Sequence, residues 1–244
     1  MQHDEIELVA NRCRLELQAM GTDLKVIESL PEMVRHFGML DNKVPGPAAD
    51  QSKLLLTQTN CFSVFCFEEG EPIAGFAVRI DDLGNEDAQS FLPRSIETIF
   101  GVKVTSTLAK PYIGSRWGKA AYFGDLKSIN RRGLTRKRAK VLQLAAAYAQ
   151  YRSFTYYGAN TNYSFLRHQD ARNAFVYGFH ETGPYVWRTD RDLFPDGSPG
   201  CIAWLSRERL PLLIAGASML LPGHVGIEQK PRLEVITKDA AGST

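Results

Sequence analysis

The sequence predicts an α/β fold, and three features carry that expectation. Two β-rich runs, CFSVFCF (61–67) and PIAGFAVRI (72–80), are joined by the short polar turn EEGE. Aromatic and β-branched runs joined in this way form an antiparallel hairpin. A further strand, starting near Ala120 in AAYFGDLKSI, leads through NRRGLTRKRAK into a segment where Leu134, Val141, Leu142, Ala145, Tyr148 and Ala149 make one apolar stripe of helical period. Ile6, Val9, Ala10, Cys13, Leu17 and Met20 recur at three- and four-residue steps, so residues 4–20 form an amphipathic helix that ends at Gly21.

The remaining elements follow in chain order. LKVIES (24–29) reads as a short strand, and Pro31 opens a helix through PEMVRHFGML. The prolines and glycine of NKVPGPAADQS (42–52) mark a loop, a candidate substrate lid. Residues 81–118 carry Pro93, Gly101, Pro111, Gly114 and Gly118 and form a long connection with a short helix around SIETIF. FTYYGAN (154–160) is expected as a strand and 164–177 as a helix stopped by Gly178, with YVWRT (185–189) and CIAWLS (201–206) as the last strands. A chain of 244 residues can bury one sizeable core. The expected organisation is one domain over 1–210, with 1–21 as an extra N-terminal helix, and 211–244 as an apolar segment with a flexible tail.

Composition removes several classes of function. Hydrophobic residues at 44% and charged residues at 23% are those of an ordinary soluble globular protein. A net charge of +2 is too small for wholesale attraction to nucleic acid or a membrane surface, so neither partner is expected. The uncharged run LPLLIAGASMLL (210–221) falls short of the ~20 residues of a membrane span. Cys13, Cys61, Cys66 and Cys201 are scattered, without metal-ligand spacing, which predicts free thiols in a reducing compartment and no metal. The acidic N-terminal stretch has no signal-peptide pattern, so the expected location is the cytoplasm.

The chemistry lies in the strand, basic loop and helix. A helix N-terminus presents unpartnered N–H groups and the positive end of its dipole, which makes a glycine loop leading into it an anion site. Gly133 lets a phosphate approach the backbone, and Arg131, Arg132, Arg136, Lys137 and Arg138 surround that point with positive charge. A pyrophosphate fits there. By composition alone such a run is a solvated helix face. The strand before it and the Gly178-Phe179 pair downstream give it a specific context.

In that context Asn130, Arg131, Arg132, Gly133, Leu134 and Thr135 resemble the acyl-CoA loop of the GNAT superfamily of N-acyltransferases. That loop reads Arg or Gln, two residues, Gly, one residue, then Gly or Ala. Asn130 and Thr135 depart from the pattern. FVYGFHETG (175–183) resembles the helix-to-strand junction of the same superfamily, and the resemblance covers about residues 61–206, with 24–40 matching more loosely. It implies a central mixed, mostly antiparallel twisted sheet flanked by helices. It also implies acyl-CoA as co-substrate, without a metal, and direct attack on the thioester by the amine of a small-molecule acceptor.

The site residues follow from the resemblance. The backbone of Leu126, Lys127 and Ser128 would line the pantetheine arm. Arg131, Arg132, Gly133, Leu134, Thr135 and Arg136 would hold the pyrophosphate, and Asn162, or Asn160, would hold the cofactor after the next strand. Asp125, on the strand feeding the loop, is the candidate proton acceptor. The superfamily's usual tyrosine acid falls at Ala174 here, so Tyr163 is the candidate acid, with Tyr177 as a second candidate. Arg131, Arg132, Arg136, Lys137, Arg138 and Lys140 exceed the needs of one pyrophosphate, which keeps open a long-chain N-acyl amino acid or acyl-homoserine lactone type synthase fed by an acyl carrier protein. The same basic loop is compatible with a non-catalytic acyl-CoA or nucleic-acid binding module, and the chain with a homodimer.

Overall fold

The structure, a computed structural model, describes residues 3–41, 60–107, 118–128, 136–184, 187–194, 197 and 199–210. In chain order the elements are α1 (His3–Ala19), β1 (Asp23–Ile27), α2 (Leu30–Asp41), β2 (Cys61–Glu68), β3 (Glu71–Asp82), α3 (Ala88–Phe100), β4 (Val104–Thr107), β5 (Lys119–Ser128), α4 (Arg136–Thr155), β6 (Thr161–Arg167), α5 (Ala171–Val176), β7 (Glu181–Pro184), β8 (Trp187–Thr189) and β9 (Gly200–Ser206). The loop expected at 42–52, the phosphate loop expected at 131–135 and the C-terminal segment expected at 211–244 lie outside the described residues.

The hairpin forms where its residues dictate. β2 and β3 pair antiparallel across Glu69 and Gly70, whose φ values of 52° and 84° are both left-handed, as the twist-matched two-residue turn requires. β2 has no polar face because both of its faces are covered. Phe62, Val64 and Cys66 enter the core on the α1 and α4 side, whereas Cys61, Phe65 and Phe67 enter the core on the α2 and α3 side. The sheet therefore sits between two helical layers, with strand order β1-β2-β3-β5-β6-β9-β7. Every neighbouring pair in it is antiparallel except β5 and β6. This is the mixed, mostly antiparallel sheet flanked by helices, with an additional N-terminal helix, that the sequence resemblance implies.

Four local expectations are corrected. Residues 154 and 155 end α4 instead of opening a strand at 154–160, because Tyr151, Phe154 and Tyr157 recur at helical spacing and are all buried. Gly158, at φ 71°, then turns the chain into β6. The helix expected over 164–177 is the end of β6, a single 3₁₀ turn at His168–Asp170 and the short α5. β8 does not join the central sheet; it pairs with β4 in a separate two-stranded sheet, and the central sheet instead gains β7, a Gly-Pro strand with no β-propensity signal. The helix around SIETIF begins seven residues earlier, at Ala88, where the Asp87 carboxylate accepts from the Ser90 backbone N–H at 2.9 Å as an N-cap.

Candidate functional site

β5 and β6 are the two parallel strands at the centre of the sheet, and they separate. Their pairing runs through Ala120–Thr161, Ala121–Asn162 and Tyr122–Tyr163 and ends there. The Ser164 hydroxyl, donating to the Phe123 carbonyl at 2.8 Å, bridges the strands at the point of divergence. On its other edge β5 stays paired with β3, but between Gly75–Lys127 and Ala77–Gly124 the register shifts, so Asp125 and Leu126 face Phe76 alone. Such a bulge bends its strand and leaves one residue out of the ladder. β6 meanwhile follows β9 along its whole length. The result is a wedge in the middle of a sheet, with backbone on both sides.

An apolar cavity of about 250 Å³ occupies the wedge. Phe76, Phe123, Ala146 and Phe179 in its wall belong to the core under α4, and Tyr122 and Phe165 belong to the core under α3, so the cavity passes through the sheet from one face to the other. Phe179 is placed there by a helix stop. The Gly178 N–H bonds to the Phe175 carbonyl at 3.1 Å and the Phe179 N–H to the Ala174 carbonyl at 3.0 Å, with Gly178 at φ 86°. These are the paired bonds of a Schellman motif, which needs a left-handed residue and packs the following side chain back on the helix. The Gly-Phe pair read in the sequence thus builds one wall of the cavity.

The predicted site residues divide into three groups. Asp125, Leu126, Lys127 and Ser128 lie on β5 beyond the divergence; the Leu126 side chain lines the cavity and is 42% exposed. Arg136 is the first residue of α4. Arg131, Arg132, Gly133, Leu134 and Thr135 fall in the segment between them, outside the described residues. Asn162 and Tyr163 are fully buried. The Asn162 amide is taken up by α4: Ser153 Oγ donates to its Oδ1 at 2.8 Å, and its Nδ2 donates to Gln150 Oε1.

Tyr163 points away from the wedge. Its hydroxyl lies 3.0 Å from Ser95 Oγ and donates to Asp81 Oδ2 at 3.3 Å; burial, then the adjacent Asp81, holds it well above the usual tyrosine range. Tyr177, by contrast, lines the cavity, and burial, followed by Asp170, raises its pKa. Two of the six clustered cations serve the fold: Lys137 pairs with Glu68 at 2.7 Å and Lys140 with Glu16 at 2.5 Å.

Sequence reading missed a second group of residues. Arg79 and Asp81 stand two apart on β3, hence on one face, and Arg79 is 4% exposed. Arg79 Nε donates to Asp81 Oδ1 at 2.8 Å and Nη2 to Oδ2 at 2.7 Å, while Nη2 also reaches Ser95 Oγ at 3.3 Å. Burial disfavours the Arg79 charge, but Tyr163 and Asp81 outweigh it and hold the guanidinium above its usual range. Nη1 is buried without a hydrogen-bond partner. The group opens on a polar cleft of about 340 Å³ lined also by Asn60, Asp82, Arg94 and Thr98. The signal available in the sequence was the single charge inside the apolar run PIAGFAVRI.

Among the described residues no group of His, Cys, Asp and Glu is placed to hold a metal ion, and no helix is long and apolar enough to cross a membrane.

No protein-family model matches the chain, and no curated protein matches it in sequence. Solved structures similar to it include FdhC, a nucleotide-linked sugar GNAT, at 10% identity and TM-score 0.45, covering 82% of this chain and 95% of that one. A Drosophila melanogaster polyamine N-acetyltransferase matches at 16% identity and TM-score 0.42, over 75% of this chain and 100% of its own. BjaI, a CoA-dependent acyl-homoserine lactone synthase, matches at 12% identity and TM-score 0.41, over 83% and 92%. The description of FdhC names GNAT, the superfamily that the sequence resembles.

Proposed function

We propose that this chain is an N-acyltransferase that moves an acyl group from acyl-CoA to the amine of a small molecule. The observation that carries the reading is the wedge between β5 and β6: an apolar slot through the sheet, next in sequence to a basic glycine loop and the N-terminus of α4. A pantetheine arm needs an apolar channel with backbone polar groups at its side, and the pyrophosphate attached to it needs N–H groups and cations. Leu126, Lys127 and Ser128 supply the first; Arg131, Arg132, Gly133, Leu134, Thr135 and Arg136 supply the second.

The reaction asks for little covalent chemistry from the protein. A backbone N–H at the β5 bulge polarises the thioester carbonyl, the amine attacks it, and the tetrahedral intermediate expels the thiolate. Asp125 takes the amine proton. Tyr177, kept protonated by burial and standing in the cavity wall, returns a proton to the thiolate, while Tyr163 holds Asp81 and Ser95 together. Asn162 acts through Gln150 and Ser153, fixing α4 against β6. Acyl-CoA is the donor in this reading; an acyl carrier protein would have to use cations other than Lys137 and Lys140, which already carry internal ion pairs.

Thermal denaturation with acetyl-, hexanoyl- and dodecanoyl-CoA tests the donor directly, since a ligand at a hundred times its Kd stabilises by about 2.7 kcal/mol. Absence of stabilisation by every thioester rejects the reading. Gly133→Val is expected to remove the stabilisation while the protein stays folded, because a side chain there blocks phosphate approach. Asp125→Asn is expected to lower kcat by about 10²-fold or more and leave the acyl-CoA shift unchanged, as removal of a general base does. Full activity of the Asn variant across neutral pH would place the base elsewhere.

A further inference from the structure

The cavity in the wedge has two halves, and the arm of a thioester donor needs only one of them. Ala146, Leu166 and Phe179 in its wall pack with the core on the α4 side. Phe100, Tyr122 and Phe165 in its wall pack with the core on the α3 side. The basic loop leads into α4, so an arm tied to a pyrophosphate there enters through the first half and brings its thioester between the strands. Whatever is carried beyond the thioester carbonyl then points into the second half.

The second half is walled by aromatic rings. Phe100, the last residue of α3, stands edge-on to Phe165 with ring centroids 5.8 Å apart and to Phe194 at 6.0 Å. On the β5 side the Tyr122 ring lies 5.9 Å from that of Phe165. Phe194 follows β8, and the stretch between them is fastened to the chain that leaves α3. The Asp190 N–H donates to the Lys103 carbonyl at 2.9 Å, the Asp190 carboxylate accepts from the Lys103 N–H at 2.7 Å, and the Arg191 guanidinium donates to the Gly101 carbonyl. Among the described residues no Asp, Glu, Lys, Arg or His lines the cavity, and the Ser164 hydroxyl is engaged by the Phe123 carbonyl at 2.8 Å. A space with so few polar partners holds water poorly and takes an apolar guest.

We infer that the group transferred is a medium-chain apolar acyl group, housed beyond the strands among Phe100, Phe165 and Phe194. The inference rests on the acyl-transfer reading, because it is the thioester in the wedge that aims the chain at the α3 side. A packed layer stands about 10 Å from a sheet and an extended chain advances roughly 1.2 Å per bond, so about six to eight carbons reach from the strands to that layer. An acetyl group ends at the strands and leaves the aromatic half empty. Phe100 and Phe194 set the far wall and with it the preferred chain length.

The test is the affinity of the full chain for free CoA and for acetyl-, hexanoyl-, octanoyl- and dodecanoyl-CoA, read by calorimetry, which needs no acceptor. Each methylene buried in an apolar site adds about fourfold, so hexanoyl-CoA is expected to bind at least ~30-fold more tightly than acetyl-CoA, with no further gain from octanoyl- to dodecanoyl-CoA. Phe100→Ala removes part of the far wall and is expected to weaken hexanoyl-CoA at least about fivefold while acetyl-CoA, which does not reach it, keeps its affinity. A purely structural Phe100 would weaken both thioesters together. Should Phe100→Ala fail to fold, Phe194→Ala and the chain-length series on the unaltered protein still decide. Equal affinities for acetyl- and hexanoyl-CoA, a gain that continues to dodecanoyl-CoA, or an equal loss of both thioesters in the variants overturns the inference and leaves acyl transfer standing. Failure of free CoA and of every thioester to bind rejects the acyl-transfer reading itself, and the inference with it.

Discussion

Ala146→Trp is expected to abolish stabilisation by acyl-CoA and to lower kcat/KM by about 10²-fold or more while the protein keeps its fold. Ala146 is a buried residue of α4 whose methyl group forms part of the wall of the 250 Å³ cavity between β5 and β6. An indole there projects into space that the donor's arm requires, among Phe123, Leu166 and Phe179. Overpacking a filled core costs roughly 1–3 kcal/mol, and existing empty space keeps the cost at the lower end. Circular dichroism and thermal denaturation without ligand verify the fold; denaturation with hexanoyl-CoA reads the site. A Trp variant that still gains the full shift would put the donor outside the wedge.

Asn162→Ala is expected to destabilise the chain by roughly 2–4 kcal/mol, lowering Tm by roughly 5–12 °C in a domain of this size. The amide is completely buried and joins β6 to α4 through Ser153 Oγ at 2.8 Å and through Gln150 Oε1. Its removal leaves Gln150 Oε1 without its donor in a buried site, while Ser153 Oγ keeps only its bond to the Gln150 carbonyl at 2.7 Å. The residue's two possible roles give opposite signatures. A positioning role lowers Tm and weakens acyl-CoA binding only modestly, by loosening α4 against the wedge. Direct contact with the cofactor would spare Tm and remove most of the binding. The large Tm loss is the outcome that the hydrogen-bond geometry requires; an unchanged Tm with lost binding would return Asn162 to the cofactor.

Much of this site was legible in sequence because it is built from local signals. Gly178 and Phe179 announce a left-handed helix stop by their residue types, and the stop aims Phe179 into the cavity. The glycine-bearing basic loop before α4 is likewise a local pattern, and so is the strand before it. Arg79 and Asp81 gave only a faint signal. Their role depends on Ser95 from α3, 16 positions from Arg79, and on Tyr163 from β6, 82 positions from Asp81. Tyr163 and Tyr177 were indistinguishable by composition and spacing. Only their opposite placements, one in the Arg79 network and one in the cavity wall, separate them.

The strand boundaries at 154–167 show the same limit from the side of secondary structure. FTYYGAN has strong β-propensity, yet Phe154 and Tyr157 continue the buried stripe of α4, and packing against Phe62, stacked on Tyr157 at 4.8 Å, outweighs an intrinsic preference of at most ~1 kcal/mol. By itself the sequence determined which residues repeat with helical or strand period, where glycine ends a helix and where cations meet a helix N-terminus, because each depends on neighbours within a few positions. The tertiary structure alone decided that β5 and β6 part after three pairs, that Asn162 is consumed by α4, and that Arg79 is buried in a bidentate pair with Asp81. Those properties are set by strand register and by partners far apart in the chain, which no local pattern encodes.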